Sequence, residues 1–382
     1  MLIMFTGYAL TFMVPRFYGA TDRYVGVFVF LCLCALMLNN ADIVSLLKQK
    51  DKELIMLIAL LALTFINLLI VNSGLGAFFV AADFMLIFFI SGRIVFPERS
   101  IAVMASCYAA LLLVWFFIVY PRLFADYAFY GYNTNTAATF TIYSLLCALM
   151  LTVILKERED RRFGREHFLS GPSGRLSGLL MTLFLVKGFQ LALWHRARGA
   201  FIMLVVFMIL WFAVPKKWWE IKGFYYTVWV LATFGSLAFV ALYVIVGATG
   251  VNFKLPFFYK EIFSGRDKIW YEFFTLFVQK PLTGIGTNVT IESFFEFNVH
   301  NAMYNFLVID GILVFAGIMW LIFRFAGRAF ISVRKKESAL PLCALTVLLA
   351  VFFESFFDVD LIWADYSLNL LFLTGIVGAA GR

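Results

Sequence analysis

Apolar residues in this chain fall in long blocks separated by short polar clusters, with few stretches of strict alternation. A helix needs about 20 apolar residues to cross a bilayer core, with a range of roughly 17 to 25. On that rule the pattern predicts spans near 1–15, 24–40, 54–72, 75–95, 100–120, 136–155, 176–194, 199–215, 223–247, 301–323, 339–357 and 362–380. The first is short. The fold class expected is an all-α integral membrane protein of about twelve transmembrane helices, with 1–382 forming one polytopic membrane domain.

One connection breaks the rhythm. Residues 248–300 separate two apolar blocks by about fifty positions, whereas most other connections are short. Within them Asp267, Glu272, Thr275 and Gln279 share one helical stripe, and Ile269, Trp270, Phe273, Phe274, Leu276 and Phe277 fill the rest. That spacing predicts an amphipathic helix lying at the membrane interface or against the bundle. Lys280-Pro281 stops it, and Gly284-Ile285-Gly286 follows as a turn. Long ordered loops are usually functional.

Composition agrees with lipid as the solvent. Of 382 residues, 63% are apolar and 14% charged, and mean hydropathy is +0.92. Soluble domains carry about 25% charged residues. A soluble core could not hide 47 Phe, 9 Trp and 16 Tyr behind so few charges. Cys32, Cys34, Cys107, Cys147 and Cys343 all fall within apolar runs, so neither a disulfide nor a thiolate metal site is expected. Met1 to Val14 has no basic n-region, so no cleavable signal is expected.

Charge then orients the spans. Lys and Arg accumulate on cytoplasmic loops. One alternate set of connections holds 20 of the 31 basic residues, including Lys48, Arg93, Arg158, Arg328 and Arg334; the other holds 10, five of them in the long loop. The remaining one, Lys187, lies within a span. Both termini are therefore expected in the cytoplasm, with 248–300 outside. The net charge of +8 faces anionic head groups at the cytoplasmic edge. No continuous basic face exists for a nucleic acid: Lys156 to Arg175 interleaves Glu157, Glu159, Asp160 and Glu166.

Charges at membrane depth are costly, so each needs a reason. Asp83, Lys187, Asp310 and Glu354 lie inside spans or at their edges, and Glu354 opens an acidic stretch with Asp358, Asp360 and Asp365. Asp358-Val359-Asp360 is a D-x-D triplet of the kind that can hold Mg²⁺ or Mn²⁺. More informative is a convergence. Arg196 and Arg198 occupy the tight exterior turn between spans seven and eight, Arg266 lies in the long loop, and His300 and Asn301 open span ten. Orientation puts all of them at one face. A guanidinium fork suits phosphate oxygens, and imidazole exchanges a proton near neutral pH. Together they suit a reaction that expels a phosphate and deprotonates an alcohol.

The same residues fall in recognisable strings. Gly265-Arg266-Asp267-Lys268-Ile269-Trp270, then Pro281-Leu282-Thr283-Gly284-Ile285-Gly286, then His300-Asn301-Ala302-Met303-Tyr304 followed by Gly311, resemble the G-R-x-x-x-W, P-x-x-G-x-G and H-N elements of the bacterial O-antigen polymerase and O-antigen ligase superfamily. Arg198-Gly199-Ala200 resembles its S-R-G-A element, with Ala197 where the family has Ser and Arg196 one step earlier. Asn133-Thr134-Asn135 with Ala137-Ala138 resembles its N-x-N segment, and Glu354-Ser355 the end of its last-but-one helix. The matches run from 133 to 355.

The resemblance implies a GT-C-like bundle in the bacterial inner membrane, acting as a metal-independent, inverting glycosyltransferase on the periplasmic side, with no cofactor. Donor and acceptor would be glycans on undecaprenyl pyrophosphate, with membrane lipids and a chain-length regulator as partners. Arg198 and Arg266 would neutralise the leaving pyrophosphate and His300 would act as general base. Arg196, Asn301, Tyr304, Asn135 and Glu354 would contact substrate, and either Arg196 or Arg198 could fill the family's arginine role. A polymerase of lipid-linked repeat units is the first reading. A ligase to lipid A–core shares the same site, and a secondary transporter or lipid flippase is the alternative of another class.

Overall fold

The computed structural model describes residues 1–13, 22–40, 43–120, 134–163, 172–251, 253–256, 258–259, 261–293, 299–335 and 338–379. Its helices are α1 (Leu2–Met13), α2 (Asp22–Asn40), α3 (Ile43–Lys48), α4 (Lys52–Ile70), α5 (Leu75–Ser91), α6 (Glu98–Val114), α7 (Thr134–Phe163), α8 (Pro172–Trp194), α9 (Arg198–Met208), α10 (Lys222–Gly247), α11 (Arg266–Phe277), α12 (Ala302–Arg334), α13 (Leu340–Glu354) and α14 (Ser367–Ala379). Helices α6 and α9 each continue into one π turn, Trp115–Val119 and Ile209–Ala213. No strand occurs among the described residues beyond a single antiparallel bridge between Lys254 and Glu261.

Each apolar block of the sequence carries a helix. Six helices are long and apolar enough to cross a membrane: Lys52–Ile70, Glu98–Val119, Asn135–Arg162, Gly174–Trp194, Lys222–Gly247 and Ala302–Arg334. Two run past the ends that hydropathy marks. Helix α7 continues through its charged tail, where Arg158 and Arg161 pair with Glu98 at 3.2 and 3.1 Å, and α12 continues to Arg334. Charge ends an apolar window but does not end a helix.

Helices α5, α7 and α13 form the centre. Asn135–Arg162 is buried over most of its length, whereas Lys222–Gly247 shows most of its surface. The outward residues of α10 include Leu231, Phe234, Leu242 and Ile245, a continuous apolar face of the kind that soluble monomers do not present. Inside, helices are tied by polar pairs. Tyr108 Oη donates to Asn369 Oδ1 at 2.6 Å, Asn369 donates to Tyr8 Oη at 3.0 Å, and Tyr8 bonds Ser144 at 2.7 Å. This net links α1, α6, α7 and α14. Interhelical hydrogen bonds of this type contribute about 0.6 to 2 kcal/mol each in membranes.

At one end of the bundle Glu53, almost fully buried, sits among Arg328 at 2.7 Å, Arg324 at 2.9 Å and Arg93 at 3.4 Å, and Arg93 also reaches Asp51 at 2.6 Å. The cluster joins α4, the end of α5 and α12. Removing one partner of a buried pair leaves the other charge uncompensated, at a cost of about 3 to 5 kcal/mol. Glu53→Gln is therefore expected to lower the melting temperature in detergent by several degrees. An unchanged melting curve would show that the arginines find water instead.

The other end is shaped by a break in α12. Gly311 has φ 81 and ψ 170 inside the helix, which frees carbonyls upstream of it. The segment after α11 takes them: Ile285 N donates to Val308 O at 2.8 Å and Gly286 N to Ile309 O at 3.1 Å, while Ile312 N donates to Pro281 O at 2.9 Å. Gly284, at φ 74, packs against the backbone of Ile309 and Gly311, and Gly311 packs against that of Leu282 and Gly284. Glycine is needed at both, by conformation and by contact.

Candidate functional site

Four helix ends come together in the bundle. Helix α11 begins at Arg266 after Gly265 in a left-handed conformation, and α9 begins at Arg198 after Ala197. Helix α12 begins after Asn301, and α13 ends at Glu354. The first turns of α9 and α11, the start of α7 and the residues after α13 enclose a narrow recess of about 30 Å³, lined by Asn135, Thr139, Arg198, Gly199, Arg266, Glu354, Phe357 and Asp358. That volume holds about one or two waters. Helix N-termini carry orphan N–H groups and a positive dipole end, which favour anions.

Arg198 is anchored. Its guanidinium donates to the carbonyls of Glu261 and Ile262, both at 2.9 Å, and to Ser264 Oγ at 2.7 Å. Tyr243 Oη holds the same Ile262 carbonyl at 2.7 Å. Arg266 differs: its Nε is buried and finds no acceptor among the described residues. Glu354 is buried, with Oε2 likewise unbonded. Its Oε1 lies close against Gly199, where an added Cβ would come within 2.6 Å.

His300 stands at the rim with φ 52, a left-handed conformation that histidine adopts more readily than most residues. Its Nδ1 lies 3.5 Å from Asp358 Oδ1. Burial works against ionising Asp358, yet the bond and charge of His300, with Arg266 and the Val359 N–H behind them, hold its carboxyl below the usual range. Asp360 goes the other way: burial, then the charge on Asp358, pushes it well up. Two carboxylates two residues apart thus differ in proton affinity.

The chain around His300 is fixed by its neighbours. Trp270 Nε1 donates to Val299 O at 2.7 Å, and Ala302 N to Ser355 O at 3.1 Å. Asn301 is fully buried. Its Oδ1 caps α12 by accepting from Tyr304 N and also accepts from Ser236 Oγ, both at 2.9 Å, and its amide donates to Phe356 O at 3.1 Å. Tyr304 is buried and its Oη donates to Trp270 O at 2.9 Å. Both side chains are spent on framework and neither lines the recess.

Of the residues singled out from the sequence, Arg198, Arg266, Asn135 and Glu354 line the recess, and His300 reaches it through Asp358. Arg196 does not join them. It is exposed, and its guanidinium lies over the Tyr259 ring, 5.1 Å from the centroid. Asn133 lies outside the described residues. Lys187 bonds Gln190 at 3.0 Å one turn away, and both oxygens of buried Asp83 lack a partner among the described residues. No group of three or more His, Cys, Asp or Glu side chains has metal-holding geometry among the described residues, the D-x-D triplet included. The contact of Asp358 with His300 has only one trace in the sequence, its place in an acidic stretch at the same predicted face. The amphipathic helix expected over the long connection is α11, and it packs Ile269, Trp270 and Phe273 against α10 and α12. No protein-family model matches the chain, and no curated protein matches it.

Proposed function

We propose that this chain is a membrane glycosyltransferase that polymerises oligosaccharide repeat units carried on undecaprenyl pyrophosphate. The observation that carries the reading is the meeting of Arg198 and Arg266, 68 positions apart, in one recess whose Asp358 faces His300. In the reaction, an acceptor hydroxyl attacks the anomeric carbon of the donor sugar from the face opposite the pyrophosphate. The new C–O bond forms as the bond to pyrophosphate breaks, and undecaprenyl pyrophosphate leaves with the electron pair. His300 takes the hydroxyl proton, and ionised Asp358 stabilises the imidazolium. Arg266 and Arg198 meet the growing negative charge, where preorganised donors act most strongly. The recess is too narrow for a pyrophosphate as it stands, so substrate entry draws Arg198 from its ties to 261–264. The Lys and Arg distribution supports periplasmic exposure of this end.

Reconstitution in proteoliposomes, with the lipid-linked repeat unit as both donor and acceptor, tests the reading. Elongated lipid-linked product is expected, with full activity after EDTA. Transfer only to a lipid A–core acceptor would make the chain a ligase. Transport of the lipid without product would make it a flippase. Arg198→Lys is expected to lose at least about tenfold in rate, because an ammonium cannot reproduce the bidentate fork. Unchanged activity would move the role to Arg196.

A further inference from the structure

A second, larger cavity lies on the other side of the segment that follows α13. It encloses about 400 Å³ and is bounded by α2, α5, the break in α12 and residues 359–365. Val359 and Ile362 line it, while Phe357 and Asp358 of the same segment line the recess described above. The volume falls within the range of about 300 to 1,000 Å³ usual for small-molecule sites. Its polar lining comes from Asp310, Asp365, Asn305 and Thr287, and its aromatic lining from Phe79 and Trp363.

Asp310 is the telling residue. It is 6% exposed, and its carboxylate accepts no hydrogen bond and meets no base among the described residues; only its backbone carbonyl is used, by Asn67 at 2.8 Å. Burying a polar group without a partner is expensive, and an ionisable side chain at membrane depth is a functional feature by default. An occupant that donates hydrogen bonds would satisfy it. No Lys, Arg or His lines the cavity, which disfavours an anion. A metal ion is disfavoured, since no group of three His, Cys, Asp or Glu side chains assembles among the described residues. A lipid tail would leave the carboxylate unsatisfied. A sugar ring answers each requirement: hydroxyl donors for Asp310 and Asn305, and an apolar C–H face for the aromatic walls.

We infer that this cavity is a saccharide-binding site in which Asp310 accepts sugar hydroxyls. Its role as the seat of the acceptor sugar rests on the transferase reading, and the binding itself does not. Saturation-transfer NMR on the protein in nanodiscs, with methyl glycosides of glucose, galactose, mannose and N-acetylglucosamine as probes and ethanolamine as the amine control, tests it without turnover. Transfer to the ring protons of at least one glycoside is expected. It should weaken at least about tenfold in Asp310→Asn, which keeps the shape but replaces the carboxyl group with an amide. It should vanish in Gly76→Phe, because Gly76 lines the cavity and a side chain there meets open space. Absence of glycoside transfer to the unsubstituted protein, equal transfer to both variants, or transfer to ethanolamine alone would overturn the proposal. Glycoside binding without polymerisation in proteoliposomes would sink the transferase reading and leave the pocket standing. Polymerisation without glycoside binding would do the reverse.

Discussion

His300→Ala and Arg266→Ala are expected to abolish glycan chain extension while the protein accumulates and folds as before. A positioned general base contributes about 10² to 10⁴ in rate, and loss of one donor facing a developing charge costs about 10² to 10³. Either loss empties a polysaccharide ladder on a gel. The two variants separate site from scaffold because neither side chain carries the fold. The residues on either side of His300 are held independently of its side chain, Val299 O by Trp270 and Asn301 by its bond to Phe356 O, and Arg266 Nε bonds nothing among the described residues. His300→Asn serves as the companion variant, since asparagine tolerates the left-handed backbone at this position. Wild-type ladders from these variants would refute the site. Asp358→Asn is expected to fall between, because it leaves the imidazole in place and removes only the charge that faces it.

Gly284→Ala and Gly311→Ala are expected to fail at the stage of folding. A Cβ at either position would fall on a backbone carbonyl of the facing segment, Ile309 O in one case and Leu282 O in the other. Backbone cannot swing aside as a side chain can. The left-handed conformation adds roughly 1 to 3 kcal/mol of its own, so a total of about 3 kcal/mol or more is expected. The readout is yield of monodisperse protein in detergent and its melting temperature. Gly327→Ala is the matched control, since its Cβ would meet only Tyr226 Oη at 3.5 Å. Equal yields for all three would mean that the break in α12 relaxes without loss.

The helices were legible because an apolar block in lipid must satisfy its backbone hydrogen bonds within itself, although only some of them reach spanning length. The helix α11 was legible from its stripe, and Lys280-Pro281 from its chemistry. The recess was legible only as a shared face: orientation puts Arg198, Arg266 and His300 at one end but cannot say which arginine turns inward. That depends on the bend between α8 and α9, where Arg196 takes a left-handed backbone and Arg198 becomes the first residue of α9. Asn301 and Tyr304 carry groups that could as well bind substrate as cap a helix, and only packing separates the uses. Asp358 and Asp310 gain their surroundings from residues distant in sequence, His300 for the first and the 359–365 segment for the second.

Helix α9 with its π turn, Arg198–Ala213, is a short apolar stretch whose Ile209 and Phe212 are exposed, and at about 1.5 Å per residue it rises roughly 24 Å. The hydrocarbon layer measures about 30 Å. A bilayer meeting so short a wall thins or dimples toward it. Head groups descending on that flank would bring lipid phosphates closer to the level of Arg198, the first residue of the helix.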